Sequence, residues 1–260
     1  MSPLSSNSAS LSLLEGEISV IAALQARSRL ITRIIVVDDK PRDELFELEV
    51  AARATNLKIE RLPREKIDAL AQGKTHGGVI AEVGERRFAA LSDLLSHSPP
   101  SPSGRGEMIV MLDGIEDPFN FGQSVRALYA AGVSGLVVRP RNWLSAAAVV
   151  ARSSAGASEL MPTAVADDPQ SAATFFKNHG LRIAVTARDR RAVSLYDVDL
   201  TVPTFLVIGG EKRGISREFM AEADVLLKIP YRRKFPHSLG SAASAAVIAF
   251  EMMRQGFASR

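Results

Sequence analysis

Apolar residues along this chain switch repeatedly between a helical and an extended period. After Gly16, Ile18, Ile21, Ala22 and Leu24 recur at helical spacing, and the run ITRIIVV that follows is β-branched and continuous, as a buried strand is. PRDELFELEVAARATN opens on Pro41 with acidic residues in its first turn and closes on Asn56, which predicts a helix. LKIERL, PREKIDALAQ, GGVIAEV and FAALSDLLS continue as strand, helix, strand and helix. A proline- and serine-rich stretch, SHSPPSPSGRG, then interrupts the alternation with nothing to bury, as an extended linker does. From Met108 the pattern restarts with the strand MIVML, the turn DGIEDPFN, a helix beginning near Phe121 and the strand GLVVR. Further strands near Met161, Leu181, Phe205 and Val225 predict a second sheet of about six strands.

The predicted fold class is α/β in two parts: a tail over 1–12, a smaller α/β domain over 13–96, a linker over 97–107 and a larger domain over 108–260. A length of 260 residues suits two domains, and 46% apolar with 23% charged residues is ordinary for a globular chain. The absence of cysteine excludes disulfides, thiolate zinc sites and cysteine nucleophiles. His76, His97, His179 and His237 are scattered without ligand spacing, so no metal is expected. A net charge of +3 permits a polyanionic partner without requiring one. The N-terminal stretch lacks the basic start and apolar core of a signal peptide, and no apolar run approaches the roughly 18 residues of a membrane span. The expectation is a cytoplasmic protein with no membrane partner.

Candidate chemistry concentrates in three clusters. The first, Asp117 to Arg126, sits at a strand-to-helix turn, where Asn120 and Arg126 either cap and solvate a helix or converge on a bound phosphate or hydroxyl. The second, GGEKRG over 209–214, follows the apolar run FLVIG. It fits neither the dinucleotide G-x-G-x-x-G fingerprint nor the nucleotide-triphosphate loop, and Glu211 there is either a turn residue or a functional carboxylate. The third runs from Ile229 and Pro230 through the basic loop to His237, Ser238, Leu239 and Gly240, ahead of a helix of small residues that must be buried on several sides. No G-x-S-x-G elbow accompanies the adjacent His237 and Ser238, which argues against a serine nucleophile. Strand ends opening side by side in a parallel sheet are where ligands settle.

In this order the three clusters resemble the motifs of the SpoU, or TrmH-like, branch of the SPOUT RNA methyltransferases. DPFNFGQSVRALYAAG is similar to the first family motif, LVIGGEKRGIS to the second and IPYRRKFPHSLGSAASAA to the third, over about Met108 to Gln255. LLEGEISVIAAL and HGGVIAEV resemble, more loosely, the ends of an N-terminal substrate-binding domain. The resemblance implies methyl transfer from S-adenosyl-L-methionine to a ribose 2′-hydroxyl in RNA, ribosomal RNA being favoured over transfer RNA. It also implies a SPOUT-type parallel sheet with a C-terminal trefoil knot, and a homodimer. By the same resemblance, backbone around Gly209, Gly210, Ile229 and Leu239 holds the cofactor. Arg126 either accepts the hydroxyl proton or stays charged and clamps the phosphate, Asn120 orients Arg126 or the ribose, Glu211 fixes the loops, and Ser238 anchors the target phosphate.

The third motif departs from the family at Gly240, where the family has Asn; Ser241 or Ser244 is the candidate substitute for the missing amide. That departure motivates an alternative reading, a non-catalytic RNA-binding protein that retains the fold. Arg188, Arg190, Arg191, Arg232, Arg233 and Lys234 either line an RNA path or form a solvated surface.

Overall fold

A computed structural model describes residues 11–73, 75–96, 107–140, 146–210 and 214–258. The tail up to residue 10, the linker over 97–106 and Glu211 lie outside the described residues. In chain order the first elements are β1 (Ser12–Glu15), α1 (Glu17–Ala26), β2 (Arg29–Val37), α2 (Phe46–Ala54), β3 (Ile59–Leu62), α3 (Arg64–Leu70), β4 (Val79–Arg86) and α4 (Leu91–Ser96). Next come β5 (Met108–Asp113), α5 (Pro118–Ala130), β6 (Gly135–Val138), α6 (Ala147–Ser153), α7 (Ala157–Leu160), β7 (Thr163–Val165) and α8 (Pro169–Asn178). The chain ends with β8 (Arg182–Thr186), β9 (Val193–Ser194), β10 (Thr204–Gly209), α9 (Arg217–Glu222), β11 (Val225–Lys228) and α10 (Ser241–Ala258).

These elements gather into two compact units. One draws its described residues from Met1–Arg87 and Asn142–Leu160, the other from Phe88–Arg141 and Met161–Arg260. Helices α6 and α7 therefore belong to the first unit although β6 and β7, which flank them in the chain, belong to the second.

The first unit is a four-stranded sheet in the order β1-β4-β2-β3, with β2 antiparallel to β4 and parallel to β3. Two-residue alternation sends Ile34 and Val36 of β2 to one face, against Leu24, Leu48 and Ala147 from three helices, and Ile35 and Val37 to the other, against Ile67 of α3. Strand β1 was not predicted; its four residues SLLE pair antiparallel with β4. Asn56, the predicted end of a helix, takes the left-handed conformation at φ +57° just past α2.

Two buried carboxylates tie α6 and α7 into this unit. Glu15 accepts the backbone N–H groups of Gln72 and Gly73 at 2.6 and 3.0 Å and pairs with Arg152 of α6 at 2.8 Å. Glu159 of α7 accepts from Ser28 Oγ at 2.6 Å and Arg29 Nε at 3.0 Å. Arg86 donates to the neighbouring Ser158 carbonyl. Burial pushes the Glu159 pKa up, but the charges of Arg29 and Arg86 and the bonds from Arg29 and Ser28 outweigh it and hold the carboxyl below its usual range. Burial pushes the Arg86 guanidinium down to about 10.

The second unit carries seven strands in the order β7-β6-β5-β10-β8-β11-β9, with every pairing parallel. The two-residue β9 is the strand that the expectation of about six omitted. Strands β5 and β10 sit inside the sheet and read MIVMLD and TFLVIG because both of their faces are covered. Ile109, Met111, Phe205 and Val207 share one core with Phe176 of α8, whose ring stacks on Phe205 at 4.6 Å. The alternate residues Val110, Leu206 and Ile208 are buried on the opposite face, where α10 packs against β10 and α5. Gln255 holds α10 in place by accepting from Leu200 N at 2.8 Å and donating to the Val198 carbonyl at 3.0 Å. Parallel pairing brings the carboxyl ends of β5, β10, β8 and β11 to one edge, and the three motif clusters follow three of those ends.

A carboxylate whose pKa is depressed in the folded state stabilises it above the unfolded pKa of about 4.3 and loses that contribution as pH falls through the folded value. Glu159→Ala, which leaves Arg29 and Arg86 without their buried counter-charge, is expected to cost about 3–5 kcal/mol at neutral pH. Urea denaturation of the full chain checks this, and the gap from wild type should narrow below about pH 4. A gap of constant size down to about pH 3 would rule out the charged pair as its source.

Candidate functional site

The shared edge becomes a site because two loops approach at backbone distance. Gly210, just past β10, donates its N–H to the Asp113 carbonyl at the end of β5 at 2.6 Å. A Cβ added at Gly210 would lie 2.0 Å from the Gly114 carbonyl oxygen, so no side chain fits there. Gly114 turns the β5 loop in the left-handed conformation at φ +75°. Arg139, beyond β6, braces the same loop through a two-point pair with the buried Asp113 carboxylate, Nη2 to Oδ2 at 3.2 Å.

Beside this junction lies a cavity of about 710 Å³. Ile208, Leu227, Leu195 and Ile248 give it an apolar lining and are themselves buried. Polar groups enter from three places: backbone at Gly209 and Gly210, the Thr186 residue that ends β8, and Ser238 just before α10 with Ser241 and Ser244 in its first turn. That volume and mixture are typical of a small-molecule site.

The loop from Pro230 to Gly240 closes one side. The Tyr231 hydroxyl accepts the Leu239 N–H at 2.8 Å, and Arg188, in the loop after β8, donates to the Pro236 carbonyl at 2.6 Å. Gly240 sits just before α10, and its carbonyl accepts the Ser244 N–H at 2.9 Å in the first turn of that helix. The Ser244 hydroxyl lies 3.4 Å from the Leu239 carbonyl.

Of the sequence-predicted site residues, Gly209, Gly210, Ile229, Ser238 and Leu239 line this one cavity. Glu211 lies outside the described residues. Asn120 and Arg126 are on α5 and are not among the lining residues. The cap of α5 is Asp117, whose carboxylate accepts the Asn120 N–H at 2.7 Å, so the capping role considered for Asn120 falls to its neighbour. Arg126 is exposed, and no carboxylate among the described residues pairs with it.

Thr186, Tyr231 and Phe235 also line the cavity and were not singled out as site residues. Thr186 ends a strand whose position next to β10 is a matter of sheet order, to which local pattern gives no access. Tyr231 and Phe235 flank the run Arg232 to Lys234, and their signal was visible only as aromatics interleaved with basic residues. Among the described residues no cluster of His, Asp or Glu is arranged to hold a metal ion, and no helix is long and apolar enough to cross a membrane.

Comparison with known proteins agrees with this geometry. Over residues 13–89 the chain matches the family described as RNA 2′-O ribose methyltransferase substrate binding. It is 28% identical over 237 residues to the 23S rRNA (guanosine-2′-O-)-methyltransferase RlmB of Xanthomonas axonopodis, covering 91% of this chain and 94% of that one. Its fold is similar to an AdoMet-bound rRNA methyltransferase of Sinorhizobium meliloti, with a TM-score of 0.75 at 22% identity over 94% of this chain and 87% of the other. The SpoU methyltransferase AviRb of Streptomyces viridochromogenes, in complex with AdoMet, has the same score at 20% identity, over 98% and 96% of the two chains. Residues 107–250, which contain all three motif clusters and the loops around the cavity, match the SpoU rRNA methylase family, and the chain belongs to that family.

Proposed function

We propose that this chain transfers a methyl group from S-adenosylmethionine to the ribose 2′-hydroxyl of a nucleotide in RNA. The observation that carries the reading is the convergence of the second and third motif loops on one apolar cavity, with Gly210 tied to the turn that leads from β5 into the first motif. The cavity suits the cofactor. Ile208, Leu227 and Ile248 offer apolar surface to a purine, while backbone at Gly209, Ile229 and Leu239 offers donors and acceptors to its edge and ribose. When bound, S-adenosylmethionine supplies an electrophilic methyl on a sulfonium centre. The chain's own task is to bring a weak nucleophile into line and stabilise the alkoxide as it develops.

Arg126 is the group we assign to that task, as a cation; an arginine is ordinarily charged at neutral pH and a poor proton acceptor. Its position on the exposed side of α5, away from the lining of its own chain's cavity, supports a homodimer in which each protomer's Arg126 serves the partner's cavity. Exposed apolar side chains on the helices involved, Phe119 (54%) on α5 and Phe250 (43%) on α10, support the same assembly. Asn120 orients the ribose or Arg126, Ser238 contacts the target phosphate, and Glu211 fixes the loops. Ser241 and Ser244, both lining the cavity, take the place of the amide that Gly240 lacks. In this reading residues 13–96 bind the RNA, residues 97–107 link them to the catalytic domain over 108–260, and the substrate is ribosomal RNA in the cytoplasm. The placement of β10 between β5 and β8, with α10 returning onto α5, supports a trefoil knot. Gly240 keeps a second reading alive, an RNA-binding protein without activity; calorimetry with S-adenosylmethionine and tritium transfer to RNA separate the two.

Arg126→Ala is expected to lower methyl transfer about 100- to 1,000-fold while S-adenosylmethionine still binds, and Arg126→Lys should recover little because the planar fork is lost. Gly210→Ala should weaken cofactor binding about 10- to 100-fold by calorimetry, since its Cβ meets a backbone carbonyl that cannot swing aside. Equal mixtures of the two variants, assayed at an S-adenosylmethionine concentration too low to fill the Gly210→Ala cavity, test the dimer. Reassembled dimers carry one intact composite site in half of the population, so about a quarter of wild-type activity should return. Mixtures as inactive as their components would place Arg126 in its own protomer's site or in none.

A further inference from the structure

The loop from Pro230 to Leu239 presents more aromatic surface than closing a cavity requires. Phe235 is 52% exposed and Tyr231 39%, although both also line the cavity. The Phe235 ring meets His237 edge-on at 5.3 Å and 69°, and Tyr231 at 6.1 Å and 51°. Neither contact is a parallel stack, and about half of the Phe235 surface stays open to solvent. An exposed phenylalanine on a loose loop would lose freedom on engaging a ligand. Here the Tyr231–Leu239 and Arg188–Pro236 hydrogen bonds already hold the loop at both ends.

The charge around the ring indicates what covers it. Arg232, Arg233 and Lys234 are exposed, and none of them pairs with a carboxylate among the described residues. Three exposed cations with no carboxylate partner among the described residues, set between two exposed rings, match single-stranded nucleic acid, in which bases offer flat faces and phosphates recur at every nucleotide. A duplex keeps its base faces stacked and would leave the ring exposed.

We infer that this loop is a stacking platform for an unstacked base of single-stranded RNA at the mouth of the cavity, with Phe235 as the stacking face and Arg232, Arg233 and Lys234 on the flanking phosphates. The inference rests on the methyltransferase reading for the identity of the strand. It adds that the nucleotide beside the reacting ribose is held by its base, out of its own stack, so that the sugar reaches the cavity without a helix in the way.

The test uses the full-length protein without S-adenosylmethionine and two probes of equal charge: a twelve-residue oligoadenylate and a twelve-residue abasic ribose-phosphate strand. Fluorescence anisotropy should show the oligoadenylate binding about 5- to 100-fold more tightly. Phe235→Ala should abolish that preference and Phe235→Trp should keep it, with unchanged thermal melts verifying the fold. Joint replacement of Arg232, Arg233 and Lys234 by Ala should weaken both probes alike and reduce the slope of log K against log salt by about 2. A wild-type protein with no preference for bases, or a Phe235→Ala variant that retains it, overturns the inference. So does a Phe235→Ala variant that keeps the preference and loses only S-adenosylmethionine affinity, which would assign the ring to the cofactor. Failure of methyl transfer with the base preference intact would count against the methyltransferase reading and leave the platform standing.

Discussion

Backbone contact between two glycines governs the candidate site. At Gly210 the chain leaves β10 and passes so close to Gly114 that a methyl group in place of a hydrogen would overlap a carbonyl oxygen. Only a residue without Cβ permits that approach, and the approach makes the Gly210–Asp113 hydrogen bond possible. Asp113 is held in turn by Arg139, so the residues just past β5, β6 and β10 are tied together at one corner. On the side of that corner the cavity is bounded by backbone at Gly209 and Gly210, which side-chain motion cannot collapse. Such a site suits a reaction whose main demand is alignment.

The wall opposite that corner is built differently. The loop before α10 carries its polar and aromatic groups on side chains, braced by two hydrogen bonds and an aromatic cluster. The missing amide at Gly240 falls on the side-chain wall, where Ser241 and Ser244 are within the same lining.

Elsewhere the fold meets a different constraint, burial of charge. Glu15 and Glu159 are both removed from solvent in the first unit, and each is satisfied by an arginine and further donors. An unpaired carboxylate in either place would carry its full desolvation cost. These pairs fasten α6 and α7, drawn from the connection between β6 and β7, to strands laid down more than a hundred residues earlier.

The amino-acid pattern by itself determined what depends on neighbours in the chain. Runs such as MIVML and FLVIG announce strands buried on both faces because no polar residue interrupts them, and Pro41 and Asn56 bracket a helical region because their backbone preferences are local. Glycines after a strand end pointed to a ligand edge for the same reason, and Gly209, Gly210, Ile229, Ser238 and Leu239, to which the family resemblance gave their roles, line the cavity there. Only the tertiary structure decided which strand ends lie side by side. That placed Thr186 on the cavity through the order β10-β8-β11 and left Arg126 off the lining of its own chain's cavity. It also joined Glu159 to Arg29 across the chain. Sheet order and long-range ion pairs come from the packing of distant segments, and periodicity, a property of adjacent residues, carries no record of them.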